Sequence, residues 1–260
     1  MYPETTLTPD QTWAKAQDPG HEPGHEPGHE PGHEPGHEPG QEPGHEREHA
    51  SEPVDGRRAR GDRTRRAVLD RAVQEASVAG LDSLSLGRLA AATPVNKSGI
   101  SGLFGSKEKL QLATIHRARE VFVEAVVVPG IDSAKGLPRL WRILTLWLAH
   151  SRDRVFEGGC FFRSVAAEFD ARTTGPVRDA VAREEREWEG YLRSLVVEAV
   201  RREHLDAGTD PDQVVFEVAA LYARANDASL LHHDELAYDR AMTALRTALT
   251  ARGADPAALV

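Results

Sequence analysis

The sequence predicts an all-α protein, with a small N-terminal helix-turn-helix unit of three helices followed by a larger helical domain. Alanine, leucine and valine dominate the apolar residues, and aromatics make up only 6% of the chain, which favours helices over sheets. Apolar residues recur at i, i+3, i+4 and i+7 in several segments, and no segment shows the sustained two-residue alternation of a half-buried strand.

Residues 1–56 are predicted to be a disordered acidic tail. Residues 21–40 are five copies of His-Glu-Pro-Gly, and the segment 1–56 carries 13 Asp or Glu against two basic residues. The repeat offers no apolar side chain to bury, and its Pro and Gly residues interrupt helices and sheets. His-rich tracts can chelate divalent metals. Metal buffering by the tail is therefore an alternative function, beside a simple repeat expansion, which we favour.

Helix boundaries can be placed from caps and breakers. The first helix is predicted from Arg63, with Gly80 as its C-terminal stop. Three further helices are predicted with the N-caps Ser85, Asn96 and Ser106, and they end at Ala92, Phe104 and the pair Pro129 and Gly130. Downstream helices are predicted at 137–150, 161–169, from Pro176, from Pro211 (with Asp210 as N-cap) to about His232, and at 235–252.

The segment 57–119 is strongly basic, although the whole chain has a net charge of −9. It carries 13 Lys or Arg and five Asp or Glu. Such a segment between acidic ones indicates nucleic-acid binding or a solvated helix face. Two short helices separated by residues 93–95 form a helix-turn-helix candidate whose second helix would read the major groove. An ordinary helical corner is the alternative.

The stretch SLGRLAAATPVNKSGISGLFGSKEKL, residues 85–110, resembles the DNA-binding signature of the TetR/AcrR family of bacterial transcriptional regulators. Leu89-Ala90, residues 95–99, and Phe104 with Ser106-Lys107-Glu108 carry the resemblance. Weaker similarity follows at residues 158–162 and 168–170. Three positions depart from the pattern, because Pro94 replaces a glycine that often has positive φ, Ser101 replaces an aromatic residue, and Leu103 replaces a polar or aromatic one.

The resemblance implies a DNA-binding domain at 57–119 and an effector-binding and dimerisation domain at 120–260. The predicted DNA-binding residues are Arg57, Arg58, Arg60, Arg65, Ser85, Asn96, Lys97, Ser98, Gly99, Ser101, Gly102 and Lys107. Among these, the first three would form an arm that precedes the first helix and enters the minor groove; a disordered solubilising stretch is the alternative.

The resemblance further implies a repressor that leaves a near-palindromic double-stranded operator when a small, largely apolar effector binds. The predicted pocket residues are Trp141, Trp147, His150, Cys160, Phe161, Phe162, Arg163, Phe169 and Trp188. A tryptophan at Ala166 is expected to fill this pocket. The last two helices, over 214–231 and 236–249, are expected to form a homodimer interface.

Several classes of protein are disfavoured because the sequence lacks their characteristic features. We expect no enzyme and no cofactor, because catalytic, phosphate-loop and metal-ligand motifs are absent; an all-α enzyme with an unrecognised site is the alternative. A single cysteine, Cys160, excludes an internal disulfide and fits the reducing cytoplasm. The sequence contains no apolar run of 18 residues, so no membrane span is expected. The N-terminus does not resemble a signal peptide.

Overall fold

The computed structural model describes residues 52–172 and 174–260, with side chains from residue 59 onward. Within these residues the structure is helical, as predicted, and the only β-bridge joins Phe156 and Gly159. The helices are α1 (Glu52–Ala79), α2 (Leu86–Ala92), α3 (Lys97–Phe104), α4 (Lys107–Phe122), α5 (Val128–Ile131), α6 (Leu137–Arg152), α7 (Phe161–Phe169), α8 (Pro176–Arg201), α9 (Pro211–Leu231) and α10 (Ala237–Thr250). The His-Glu-Pro-Gly repeat lies outside the described residues.

The first helix begins earlier than the sequence indicated. It starts at Glu52 rather than Arg63, and Pro53 is compatible with this start because the backbone N–H groups of a first turn have no partner within the helix. Positions 57, 58 and 60 are therefore helical, which contradicts the prediction of an arm that precedes the first helix. The side chains of Arg57 and Arg58 lie outside the described residues, whereas Arg60 is exposed.

Several helix ends that were predicted from capping residues are confirmed. Ser85 Oγ accepts a hydrogen bond from the Arg88 backbone N–H at 3.2 Å, and Ser106 Oγ accepts one from Lys109 at 3.1 Å. Gly80 ends α1 with a φ of 81°. Asp210 caps α9 by accepting hydrogen bonds from the next two backbone N–H groups after Pro211. These side chains satisfy helix-end donors that would otherwise lack partners.

Pro129 and Gly130 do not end the fourth helix, contrary to prediction. A π-helical turn, Val123–Val127, follows α4 and leads directly into α5, which contains both residues. Pro129 stands in the first turn of α5, where a missing N–H is tolerated. Gly130 lies against α6, because a Cβ there would be 2.2 Å from Ile143 Cδ1. The glycine thus serves close helix packing instead of a helix stop.

Two hydrophobic clusters organise the described residues. One is built by α4–α6 and α8–α10. The other combines the apolar stripe of α1 and the buried residues of α2 and α3 with Phe156, Phe161, Val165, Phe169 and the start of α8. The helix-turn-helix thus shares its core with α7 and with the beginning of α8, so the packing does not divide at residue 120.

Candidate DNA interface and effector cavity

The helix-turn-helix presents a small, polar surface at the start of α3. Asn96 Oδ1 accepts a hydrogen bond from the Gly99 N–H at 2.8 Å and so fixes the first turn. Ile100 and Phe104 are buried in the shared core. Lys97, Ser98, Gly99 and Gly102 are exposed, Ser101 is half-buried, and Ser85 is exposed at the start of α2.

The turn between α2 and α3 accommodates Pro94 without a left-handed residue. None of the described residues 93–96 has a positive φ. Thr93 is extended, with φ −133° and ψ 159°, and its hydroxyl donates to the Leu89 carbonyl at 2.7 Å. Gly99 tolerates the close approach of the turn, because a Cβ there would lie 3.0 Å from Val95 Cγ1. The turn therefore does not need the positive φ that a glycine at position 94 would allow.

Arg65 and Lys107 have partners within the protein. Arg65 donates to the Leu103 carbonyl at 2.8 Å, and its guanidinium lies 4.5 Å from the centre of the Phe104 ring. The Lys107 ammonium donates to the Asp82 carbonyl at 2.6 Å. Both cations therefore hold α3 and α4 in place in this structure, in addition to any contact with DNA phosphates.

A carboxylate from α7 fixes the turn that follows α1. Glu168 accepts hydrogen bonds from the backbone N–H groups of Leu81 and Asp82, at 2.7 and 2.8 Å. The Asp82 side chain accepts from Arg172 and from Gln111. The bond from Arg172 lowers the pKa of Asp82, with burial opposing. The turn therefore connects α1, α4 and α7 through hydrogen bonds.

A second contact joins α1 to the loop before α7. Gln74 donates to the Val155 carbonyl at 3.0 Å and accepts from the Glu157 N–H at 2.7 Å. Ser77 Oγ accepts from the Gly158 N–H at 3.0 Å. Together with Glu168, these contacts join α7 and the loop before it to α1.

An aromatic cavity of about 160 Å³ lies between the end of α4 and the helices α6 to α9. Its lining is Phe122, Trp147, Cys160, Phe162, Arg163, Glu184, Glu185, Trp188, Glu189, Leu192, Val215, Ala219, Tyr222 and Ala223. Trp188 contacts Phe122 and Trp147 edge-on, with ring centres 4.9 and 5.0 Å apart. Trp147 also stacks on Tyr222 at 3.9 Å.

The structure brings together only part of the predicted pocket. Trp147, Cys160, Phe162, Arg163 and Trp188 line the cavity, whereas four other predicted residues do not. The sequence interpretation also missed the cavity residues of α9 and the three glutamates of α8. A helical stripe on α8 was visible in the sequence, but nothing in the pattern indicated which side of it faces empty space.

The four remaining residues have structural surroundings of their own. Trp141 donates to the Val260 carbonyl at 3.1 Å, and Phe161 and Phe169 belong to the core shared with the helix-turn-helix. His150 is buried beside Phe122 and Phe156. Burial lowers the pKa of His150 to about 4, with Asp153 opposing, so its imidazole is neutral near pH 7.

Cys160 lines the cavity as predicted, whereas Ala166 does not. Cys160 caps α7 by accepting from the Arg163 N–H at 3.4 Å, and burial raises the pKa of its thiol. The thiol is therefore protonated, which disfavours a reactive thiolate. Ala166 lies in a surface groove between α7 and α8 instead of the cavity, so the expectation that a tryptophan there fills the pocket is wrong.

Within the described residues, no helix is both long and apolar enough to cross a membrane. The same part of the chain contains no group of three or more His, Cys, Asp or Glu residues arranged to hold a metal ion. The histidines of the predicted tail lie outside that part.

Comparison with known proteins finds similar sequences and structures among transcriptional regulators. Residues 136–245 match the model of the tetracyclin repressor-like C-terminal domain. A TetR transcriptional regulator from Chloroflexus aurantiacus J-10-FL is 26% identical, with a TM-score of 0.68, and the match covers 75% of this chain and 98% of that one. No curated protein sequence matches the chain.

Two structural neighbours contain ligands. AibR, in complex with isovaleryl coenzyme A and operator DNA, is 19% identical with a TM-score of 0.53, over 63% of this chain and 86% of that one. A transcriptional regulator from Saccharomonospora viridis in complex with choline is 18% identical with a TM-score of 0.60, over 72% and 95%. With a helix-turn-helix joined to a domain that matches the tetracyclin repressor-like C-terminal model, the chain is similar to DNA-binding transcriptional regulators of the TetR family.

Proposed function

We propose that the protein is a homodimeric repressor that leaves its operator when a small molecule enters the aromatic cavity. The observation that carries this proposal is the position of α4. Ser106 caps its start beside the helix-turn-helix, and Phe122 at its end stands in the cavity wall. A ligand that displaces Phe122 would therefore move α4 and change the spacing of two reading heads.

The neighbour AibR, whose structure contains both operator DNA and an acyl coenzyme A, supports joint control by DNA and a small molecule. A dimer bound across a promoter blocks polymerase without further contacts, which favours repression over activation. Such a protein acts in the cytoplasm, by binding and not by catalysis.

For DNA, we propose that α3 enters the major groove with Lys97, Ser98, Gly99, Ser101 and Gly102. Asn96 contributes by fixing the first turn of α3, and Ser85 lies on the exposed start of α2. Arg57, Arg58 and Arg60 extend α1 in the basic segment and would contact the phosphate backbone.

For the dimer, we propose the exposed faces of α9 and α10. Phe216, Leu231 and Leu236 lie on or between these helices with 71%, 75% and 55% of their surface exposed. Exposed large apolar side chains on neighbouring elements mark protein interfaces more often than isolated ones do. A twofold dimer requires a near-palindromic operator.

The function is tested by selecting bound fragments from genomic DNA with the purified full-length protein. We expect enrichment of a near-palindromic sequence upstream of a few genes. Enrichment of no sequence above background would contradict the proposed function.

Lys97→Ala is expected to weaken operator binding several-fold and to reduce the slope of log affinity against log salt by about two, because a dimer carries two copies of Lys97. The reason is that each neutralised phosphate releases condensed counterions. Lys135→Ala is the matched control, since Lys135 is exposed in the loop between α5 and α6. Fluorescence anisotropy at several salt concentrations measures both quantities, and equal slopes for the two variants would contradict the role of Lys97.

Ala219→Trp is expected to fill the cavity and abolish release of DNA by the effector, while operator binding stays intact. Ala219 is a small residue in the cavity wall. Ala167→Trp adds the same volume on the exposed side of α7 and is expected to keep the response. Once the regulated genes suggest an effector, release is measured by anisotropy; a normal response of Ala219→Trp would remove the cavity from the proposal.

A further inference from the structure

The charge of the cavity is negative and unbalanced. Glu184, Glu185 and Glu189 line it from α8, and Arg163 is the only basic residue in the lining. Glu184 is bound by Arg119 at 2.8 Å, and Arg163 pairs with Asp227 at 3.2 Å. No ion pair among the described residues involves the other two carboxylates.

Glu185 and Glu189 stand four residues apart on one face of α8. Like charges at this spacing destabilise a helix. Burial raises the pKa of Glu185, and repulsion from Glu189 adds to that, while Arg163 opposes it. Both side chains are only partly buried and remain accessible to solvent, so the pair lies on the solvent side of the cavity. A bound cation would relieve this repulsion.

The rest of the cavity also suits a cation. Five aromatic rings line it, those of Phe122, Trp147, Phe162, Trp188 and Tyr222. Aromatic faces attract ammonium groups, and the attraction grows when water is excluded. The volume of about 160 Å³ is similar to that of a cavity of about 150 Å³ that binds benzene. One ring or a short alkyl chain therefore fits inside.

We propose that the effector is a small organic cation, with an apolar body among the aromatic rings and an ammonium group beside Glu185 and Glu189. This inference rests on the proposed function of the cavity and narrows the largely apolar effector expected from the sequence. An anion would face two carboxylates that form no ion pair among the described residues. A neutral ligand would leave their mutual repulsion in place.

The test compares three probes of similar size, which are benzyltrimethylammonium, its uncharged carbon isostere 2,2-dimethylpropylbenzene, and phenylacetate. Binding to the full-length protein is followed by tryptophan fluorescence, because Trp147 and Trp188 both line the cavity. The cation is expected to bind at least tenfold more tightly than the isostere, with phenylacetate weakest. Equal or tighter binding of the isostere would overturn the proposal.

Two double variants that remove the same charge test whether Glu185 and Glu189 cause the preference for the cation. Glu185→Gln with Glu189→Gln is expected to weaken binding of the cation about tenfold and to leave the isostere unchanged. Glu198→Gln with Glu203→Gln removes the same charge away from the cavity lining and is expected to change neither. Equal loss in both double variants would mean that only the net charge of the protein acts, which overturns the specific site.

The outcome is separable from that of the proposed function, because operator binding is measured without any ligand. If the protein binds its operator but does not bind the cation in preference to the isostere, only the proposed ligand class is rejected. Preferential binding of the cation with no effect on DNA affinity supports the ligand class and rejects effector control.

Discussion

Gly158→Ala is expected to lower the free energy of unfolding by about 2–4 kcal/mol, through overpacking and the loss of hydrogen bonds. A Cβ at this position would lie 2.0 Å from the Ser77 carbonyl oxygen and 2.4 Å from its carbon. Both are backbone atoms of α1, so no rotamer change can relieve the clash. The loop must instead move away from α1 and weaken the hydrogen bonds from Gly158 and Glu157 to α1.

Gly190→Ala is the matched control for this substitution. Gly190 lies on α8, and a Cβ there meets no atom within 4 Å. Alanine within a helix is expected to raise stability by up to about 1 kcal/mol. Chemical denaturation measures both changes. If the two variants had equal free energies of unfolding, the loop before α7 would be able to move away from α1 without loss of stability.

Gly158→Ala also tests whether the cavity helices are coupled to the helix-turn-helix. Because the loop, Glu168 and the turn after α1 connect the cavity helices to the helix-turn-helix, a displaced loop should reposition the reading head. Operator affinity of Gly158→Ala is therefore expected to differ from that of the original protein at a temperature where both are folded. Unchanged affinity together with lower stability would assign the contact to stability alone.

Local features could be predicted from the sequence because their physics is local. The caps Ser85, Asn96 and Ser106 each need only a side chain and a backbone N–H three residues later. The buried stripe of α1 needs only the helical period. Such features follow from the residue types alone, and the resemblance to the TetR family rests on this same stretch of sequence.

The cavity could be predicted only in part because it depends on distant residues. Phe122, Cys160, Trp188 and Tyr222 come from four segments of the chain and meet through tertiary packing. Phe161 and Phe162 are adjacent in sequence, yet only the second lines the cavity. The prediction that the fourth helix ends at Pro129 and Gly130 was wrong for a similar reason. Close packing of Gly130 on α6, a distant segment, overrides the tendency of these two residues to end a helix.

The second large effect is expected at a buried ion pair beside the cavity. Arg119 on α4 lies 2.8 Å from Glu184 and 2.5 Å from Glu187, both on α8. Arg119 and Glu184 are only 8% and 7% exposed. Arg119→Met leaves the Glu184 carboxylate buried without this partner, and breaking such a pair costs about 3–5 kcal/mol. Denaturation at pH 8 measures the loss.

Removing both charges provides the control. Arg119→Met combined with Glu184→Met replaces the pair with apolar side chains of similar length, a change that is often close to neutral. We therefore expect the double variant to recover most of the stability lost in the single one. If the double variant were as unstable as Arg119→Met, the loss would come from packing of the arginine and not from an uncompensated charge.

The pH dependence of Arg119→Met distinguishes the charge effect further. Burial already raises the pKa of Glu184 from 4.5, while Arg119 opposes that rise, so loss of the arginine should raise the pKa more. A carboxyl group whose pKa is higher in the folded than in the unfolded state costs stability above the folded pKa, and protonation removes that cost as the pH falls toward 4.5. The deficit of Arg119→Met relative to the original protein should therefore be largest at pH 8 and shrink toward pH 5. A deficit independent of pH would contradict a buried, uncompensated Glu184.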